Sequence, residues 1–365
     1  MHRLGLALLA ALAGASLSAQ PTSPEVSPPS PHLRNPRRVE GELVVTFSNV
    51  APLSGRALHE ANLAAGLSAD KPPELHVWSS QIVERFAQRD IEILEVTPAT
   101  ETEFDDPING NRILHWDLTG RLVSGETITL RRRFRATLWE TAFDVDPALV
   151  QPSDPDSALH RRFTQSEPLI ECEDAEIRRL AAEITSGETN AYLRAERLFR
   201  WVCDHLTYIY PPGQRGALPT LARGNGDCGE YSFLFIALCR AAGIPARLVA
   251  GFSFTPESTG YHVWAEFHVP PYGWLPADAS RADDASGEHD LAGLFAHLPN
   301  DRLIASAGVN LPLEPAPAWA NPRNSDLSGT GTTGFMQLYT EAGSGFTAQR
   351  HTARRLLSTQ PLGPR

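Results

Sequence analysis

The stretch GNGDCGEYSFLFIALCRAAGIPARLVAGF, residues 224–252, limits the fold of this chain more than any other. A Gly/Asp loop runs into an apolar helix predicted from Cys228 to Ala242, which stops at Gly243 with Pro245 just beyond. Strands follow: ARLVAGFSF, then YHVWAEFHV, a turn at PPYG, and WLPADAS. Helices packed on an antiparallel sheet make this half of the chain α+β.

Two more helices precede the loop. Asp174 caps AEIRRLAAEITS, where Ile177, Leu180, Ala181 and Ile184 recur at helical spacing and Gly187 ends the run. Asn190 caps AYLRAERLFRWVCDHLTY, with Tyr192, Leu198, Phe199, Val202 and Leu206 on its buried side and Trp201 and Cys203 as core residues. Upstream, from Val39 to Leu149, the period is that of β-structure. VEGELVVTFSNV, DIEILEVTP, NRILHWDLTG and ETITLRRRFRATLWET alternate apolar with polar residues between Gly, Asn and Pro signals. HWDLTGRLVSGETITLRRRF predicts two antiparallel strands around Gly120 and Gly125, and SSQIVERFAQR a short helix. The sum is a small all-β, sandwich-like domain over residues 39–149, without a recognisable catalytic grouping. DVDPALVQPSDPDSALHRR reads as a linker, residues 158–341 as the α+β domain with a closing strand in TTGFMQLYTEA, and residues 342–365 as a C-terminal tail.

At 365 residues there is room for two domains, and 42% hydrophobic with 21% charged residues is ordinary for a folded soluble protein. A formal net charge of −11 argues against an electrostatic grip on nucleic acid or an anionic membrane. The one basic run, Arg131-Arg132-Arg133, sits in an alternating segment and reads as the solvated face of a strand. Residues 1–19 combine an early Arg3, a short apolar run and a small-residue exit, the pattern of a secretory signal peptide. Residues 20–38 form a Pro/Ser-rich linker, and no later run is apolar enough to span a bilayer. The expected location is the periplasm or the outside of the cell. There, Cys172, Cys203, Cys228 and Cys239 are free to form disulfides. Cys228 and Cys239 lie about 16 Å apart on one helix and cannot bridge.

A cysteine at the first position of a helix is a candidate nucleophile, because unpaired N–H groups and the macrodipole favour a thiolate there. The same N–H groups can receive an oxyanion. Such a cysteine needs a histidine base and a group to orient it. His262 opens one strand of the predicted hairpin and Asp278 ends the other, so the two should be neighbours. His268 lies about 20 Å further along, at the turn end. A zinc site built from Cys228, His262 and His268 leaves Asp278 idle and groups its ligands poorly.

GDCGEYSFLFIALCRAAGIPARLVAGF and HVWAEFHVPPYGWLPADAS, with the upstream RLFRWVCDHLTY, resemble the core of bacterial transglutaminase-like proteins, papain-fold thiol enzymes with triad order Cys, His, Asp. The resemblance implies Cys228 as nucleophile, His262 as general base and acid, and Asp278 as orienting carboxylate, with Trp264 and Trp274 packed around the hairpin. Ala279 departs from the Pro that many relatives carry. Gln214 and the Tyr208–Tyr210 segment are candidates for the second oxyanion donor. The activity implied is attack on a peptide or side-chain amide, with the acyl group passed to water or to an amine. No cofactor and no metal are expected, RADDASGEHD being an acidic loop without the ligand alternation of a calcium site. The expected partner is a peptide or protein substrate, including those of the cell envelope. The alternative is a non-catalytic envelope adaptor on the same fold.

Overall fold

In the computed structural model, which describes residues 30–257, 259–283, 294–317, 332–333 and 337–363, the first half is mostly strand. β1 (His32–Pro52) and α1 (Gly55–Ala64) lead to β2 (Glu74–Ser80), β3 (Gln88–Thr97), β4 (Thr102–Asp106), β5 (Asn111–Asp117) and β6 (Ile128–Ala142). A helical stretch follows, with α2 (Ala158–Phe163), α3 (Ala175–Ile184), α4 (Ala191–His205), β7 (Thr207–Tyr208), α5 (Ala217–Arg223), β8 (Asn225–Gly226) and α6 (Cys228–Ala241). Then come β9 (Ala246–Phe254), β10 (Thr259–Val269), β11 (Gly273–Ala277) and α7 (Ala279–Ala282). The last elements are β12 (His297–Leu298), β13 (Arg302–Ala307), β14 (Leu311–Pro312), β15 (Thr332–Thr333), β16 (Thr340–Ser344) and β17 (Phe346–Pro361).

The fold is a transglutaminase-like α+β core preceded by a β-rich region. Helix α6 is its axis: Tyr231, Phe233, Leu234, Phe235, Ile236 and Leu238 are all buried, so the helix is covered on every side. Phe235 meets the Phe199 ring of α4 edge-on at 5.8 Å and the Phe267 ring of β10 at 6.1 Å. Beneath it lies an antiparallel sheet in the order β11-β10-β9-β13. One face of this sheet places Leu248, Ala265 and Phe267 in the helical core, and Phe252, Phe254 and Leu303 in the core of the β-rich region. The opposite face gathers Val249, Trp264 and Ile304 around Ala87 and Leu298.

The β-rich region is two sheets face to face. One runs β12-β6-β1-β17 with β3 also on β6, the other β16-β2-β5-β4. On β6, Ile128, Leu130, Phe134, Ala136 and Leu138 point into the shared core. Arg133 and Arg135 on the other face donate to Glu40 of β1 at 2.6 and 2.9 Å. Arg132 is not on that solvated face: it is buried and donates to the carbonyls of Ser80 and Leu338. Gly41 lies where a Cβ would come within 2.5 Å of Phe134 and 2.7 Å of Phe254, so the close approach of the two rings needs glycine.

Several expectations are corrected. Residues 342–365 are not a tail, since β16 pairs with β2 and β17 runs antiparallel to β1 from Thr347↔Ala51 to Pro361↔Arg37. Residues 32–38 of the supposed linker belong to β1 for the same reason. The two segments around Gly120 and Gly125 become β5 and β6, but they enter different sheets instead of pairing with each other. SSQIVERFAQR ends β2 and begins β3. The Gln88 side chain accepts from the Ile304 N–H at 2.8 Å and donates to its carbonyl at 3.1 Å, like a strand neighbour. The strand expected in TTGFMQLYTEA splits into β15, on β14, and β16, on β2. Helix α2 forms within the stretch read as a linker, capped by Ser157. All four cysteines are free thiols. The signal segment 1–19, residues 20–29 of the linker and most of RADDASGEHD lie outside the described residues. Among the described residues no helix is long and apolar enough to cross a membrane.

Candidate active site

Cys228 occupies the first turn of α6, as the sequence predicts. Asp227 is the N-cap and its side chain accepts the Gly229 N–H at 2.7 Å, while Glu230 reaches back to the Asp227 N–H at 3.4 Å. This capping box satisfies two of the helix's orphan donors and leaves the Cys228 N–H without an intrahelical acceptor. Arg215 locks the box from outside, donating to Glu230 at 3.0 Å and to Asp227 at 3.3 Å. Gly226 is obligatory here, because a Cβ would meet the Cβ of Glu230 at 2.3 Å. With a single positive partner between two buried carboxyls, Glu230 is pushed up to about 8, by burial first and by its contact with Asp227 second.

The thiol is half-buried, and its sulfur accepts the Val263 N–H of β10. Burial, then the Asp227 carboxylate, push the thiol up to about 12, against the opposing pull of the Val263 N–H. Burial and the Asp227 carboxylate thus oppose the thiolate stabilisation that the helix terminus offers.

One residue before Val263, the His262 ring Nε2 donates to Asp278 Oδ2 at 2.7 Å, with both side chains buried. The hairpin register sets Ala265 opposite Ala277, so Asp278 follows directly as the N-cap residue of α7 and meets His262 diagonally. Two positions along β10, the indole of Trp264 stacks on His262, ring centres 5.8 Å apart. Gln337 donates to the His262 carbonyl at 2.9 Å and to that of Gly251 at 3.2 Å, tying β9 to β10 at this level. A second donor reaches the carboxylate: Arg302 Nη2 lies 3.1 Å from Asp278 Oδ2. Burial would raise the Asp278 carboxyl, but His262 and Arg302 override it and hold the group well below the ordinary carboxylate range.

The structure thus joins His262 to Asp278 and sets Cys228 against the next residue of the same strand. Among the described residues no hydrogen bond runs between the Cys228 sulfur and His262. Tyr208, half-exposed on β7, pairs with Gly226 and is raised by burial and by its proximity to Cys228 and Asp227, which keeps its hydroxyl a donor. Gln214 is exposed. His268 lies at the far end of the hairpin against Trp274, pushed down to about 4 by burial and by Arg247. It shares no cluster with Cys228 and His262, and among the described residues no group of three or more His, Cys, Asp and Glu side chains is placed to hold a metal ion.

Sequence reasoning missed Arg215, Glu230 and Arg302. The Asp-x-x-Glu spacing at 227–230 is a readable capping-box signal. Arg302 carries no local signal, since it reaches the site only through strand pairing.

A model of the transglutaminase-like superfamily matches residues 178–279. An uncharacterized protein of Haemophilus influenzae is 28% identical over 134 residues, covering 29% of this chain and 36% of that protein, so the match spans about a third of the relative. A Cytophaga hutchinsonii structure named "Putative Cysteine Protease" superposes with a TM-score of 0.55 at 16% identity, covering 92% of this chain and 96% of that one. The periplasmic domain of TgpA from Pseudomonas aeruginosa gives a TM-score of 0.34 at 16% identity, covering 68% of this chain and 99% of that one.

Proposed function

With its 178–279 core belonging to the transglutaminase-like superfamily, whose members are generally cysteine-dependent enzymes, we propose that this chain is an exported thiol enzyme acting on peptide or side-chain amides. One observation carries the reading. A half-buried thiol at a capped helix N-terminus rests on Val263 N–H, one residue from a buried imidazole already bonded to a carboxylate.

In the proposed mechanism Asp278 accepts from Nε2–H, which leaves Nδ1 as the basic nitrogen of His262. Burial and Asp227 raise the thiol, so its proton leaves as the sulfur attacks: His262 takes the proton while a bond forms between sulfur and the amide carbon. The oxyanion is received by the Cys228 N–H, with the Tyr208 hydroxyl as second donor. Collapse breaks the C–N bond, and His262 returns its proton to the departing amine or ammonia. Water then attacks the thioester, giving a proton to His262, and C–S cleavage restores the thiol. An amine in place of water makes the same site a cross-linker. Hydrolysis is the preferred outcome, since the family that the motifs resemble consists mostly of thiol hydrolases. The N-terminal signal-like segment supports export to the periplasm or beyond, where peptides and envelope proteins are the substrates at hand.

The non-catalytic adaptor is the second reading. It is favoured by the thiol being raised by burial and Asp227 and by the lack of a hydrogen bond between Cys228 and His262 among the described residues. Incubation with glutamine-containing peptides, with and without excess primary amine, separates the possibilities when cleavage, ammonia and amine adducts are read by mass spectrometry. Cleavage or deamidation that vanishes in Cys228→Ala is expected. No product from a broad panel, together with a Cys228→Ala strain indistinguishable from wild type, would favour the adaptor.

A further inference from the structure

Behind the His262–Asp278 pair lies a third charged group that no step above uses. Arg302 comes from β13, three places from β11 in the sheet order. At about 4.8 Å per strand its side chain must cross β9 to reach the Asp278 carboxylate, which leans over β10 to His262. The β9 residues at that level are Gly251, opposite His262, and Ser253, opposite Arg302, both small enough to let it pass. A Cβ on Gly251 would stand 2.1 Å from the Leu303 carbonyl oxygen, so this passage has no room for a larger residue. Arg302 itself is 5% exposed, with Nη1 on Asp301 and Nη2 on Asp278. Both donors to this carboxylate fall on one oxygen, Oδ2, while among the described residues Oδ1 meets the Ser280 hydroxyl at 3.4 Å.

We propose that Arg302 is the positioning residue of this site: it fixes the Asp278 carboxylate from behind and tempers its negative charge, and so sets the orientation and basicity of His262. The inference rests on the thiol-enzyme reading for its purpose but not for its test. A second cation on the carboxylate lessens its hold on an imidazolium and eases the return of a proton to a leaving group. Arg302 shares Oδ2 with the imidazole, so the carboxylate that orients His262 is held from both sides. Asp278 also acts on the thiols of Cys228 at the start of α6 and Cys203 of α4, Arg302 is shared with Asp301 before β13, and Arg215 with Asp227 acts on Cys228, one step removed from the pair. Among the described residues Arg302 is the cation that bonds Asp278 directly.

The test is the titration of His262 in the full chain, followed by NMR with labelled histidine and assigned through His262→Gln. Arg302→Met is expected to raise the His262 midpoint by about one pH unit, a tenfold gain in proton affinity, and Arg302→Lys to restore most of the wild-type value. Asp301→Asn, which leaves the whole guanidinium charge to Asp278, is expected to lower the midpoint, and it keeps the question open to test should Arg302→Met fail to fold. A His262 midpoint unmoved in folded Arg302→Met, or unmoved in Asp301→Asn, would overturn the proposal, since a purely structural ion pair predicts lost stability without a shifted imidazole. Absence of any Cys228 chemistry in the wild type would sink the enzymatic reading and leave the His262 titration fully informative.

Discussion

Replacing Glu230 by Gln should make the protein less sensitive to alkaline pH. The carboxyl is fully buried and pushed from 4.5 up to about 8, because burial and Asp227 oppose its ionisation more than Arg215 favours it. A carboxyl raised in the folded state binds a proton that the unfolded chain has already lost. Stability therefore falls as pH rises from the unfolded value to the folded one, at up to about 1.4 kcal/mol per pH unit. Two other sets of groups must be kept out of the measurement. Asp227 is lowered, so its contribution is lost only below about pH 4. His115 and His268, both held near 4 by burial, alter stability only between there and the unfolded histidine value of about 6.5. From pH 6.5 to 8 Glu230 stands largely alone, and the wild type should lose about 2 kcal/mol relative to the variant. Gln keeps the capping box, accepting from the Asp227 N–H, so the helix start survives. Urea unfolding at both pH values, analysed as wild type minus variant, reads the difference. Parallel pH profiles would refute the argument and mean that Arg215 keeps Glu230 ionised throughout.

On the proposed thiol chemistry, Asp278→Asn removes the charge bonded to His262 and should cut turnover by about 10⁴-fold with KM little changed, measured by steady-state kinetics on any peptide found to be turned over. Gly251→Ala drives a Cβ to 2.1 Å from a backbone oxygen and should cost about 3 kcal/mol in urea unfolding. Removing residues 345–365 strips β17, with Phe346, Ala348 and Leu356, from the sandwich core and should cost about 3 kcal/mol or more, seen as a lower thermal midpoint.

The transglutaminase-like core was the legible part of this chain because its signals are local. The Asp227 cap, the apolar run of α6, the stop at Gly243 and the turn before Gly273 each announce themselves within a few residues. The hairpin argument also brought His262 to Asp278, although through a diagonal contact instead of a direct pair. What escaped depends on distant partners. Residues 346–361 look like a polar tail until β1 pairs with them, and 81–89 look helical until Gln88 meets Ile304. Gly120 and Gly125 flank a loop that carries the chain between sheets, which alternation alone cannot distinguish from a hairpin. For Cys228 the helix dipole is one of several opposing influences. The backbone of α6 is legible in the sequence, whereas the desolvation and the Asp227 carboxylate that oppose a thiolate come only with the packed site.

The most direct test of a Cys228 nucleophile served by His262 is acyl trapping with p-nitrophenyl acetate at pH 7.5, followed by peptide mapping. The account predicts a burst approaching one equivalent of p-nitrophenol, with the acetyl group on Cys228 alone, since Cys172, Cys203 and Cys239 are buried. It also predicts that the burst is lost in Cys228→Ala and slowed at least about tenfold in His262→Ala. A wild-type protein with no burst, or one whose burst is indifferent to His262, would contradict it.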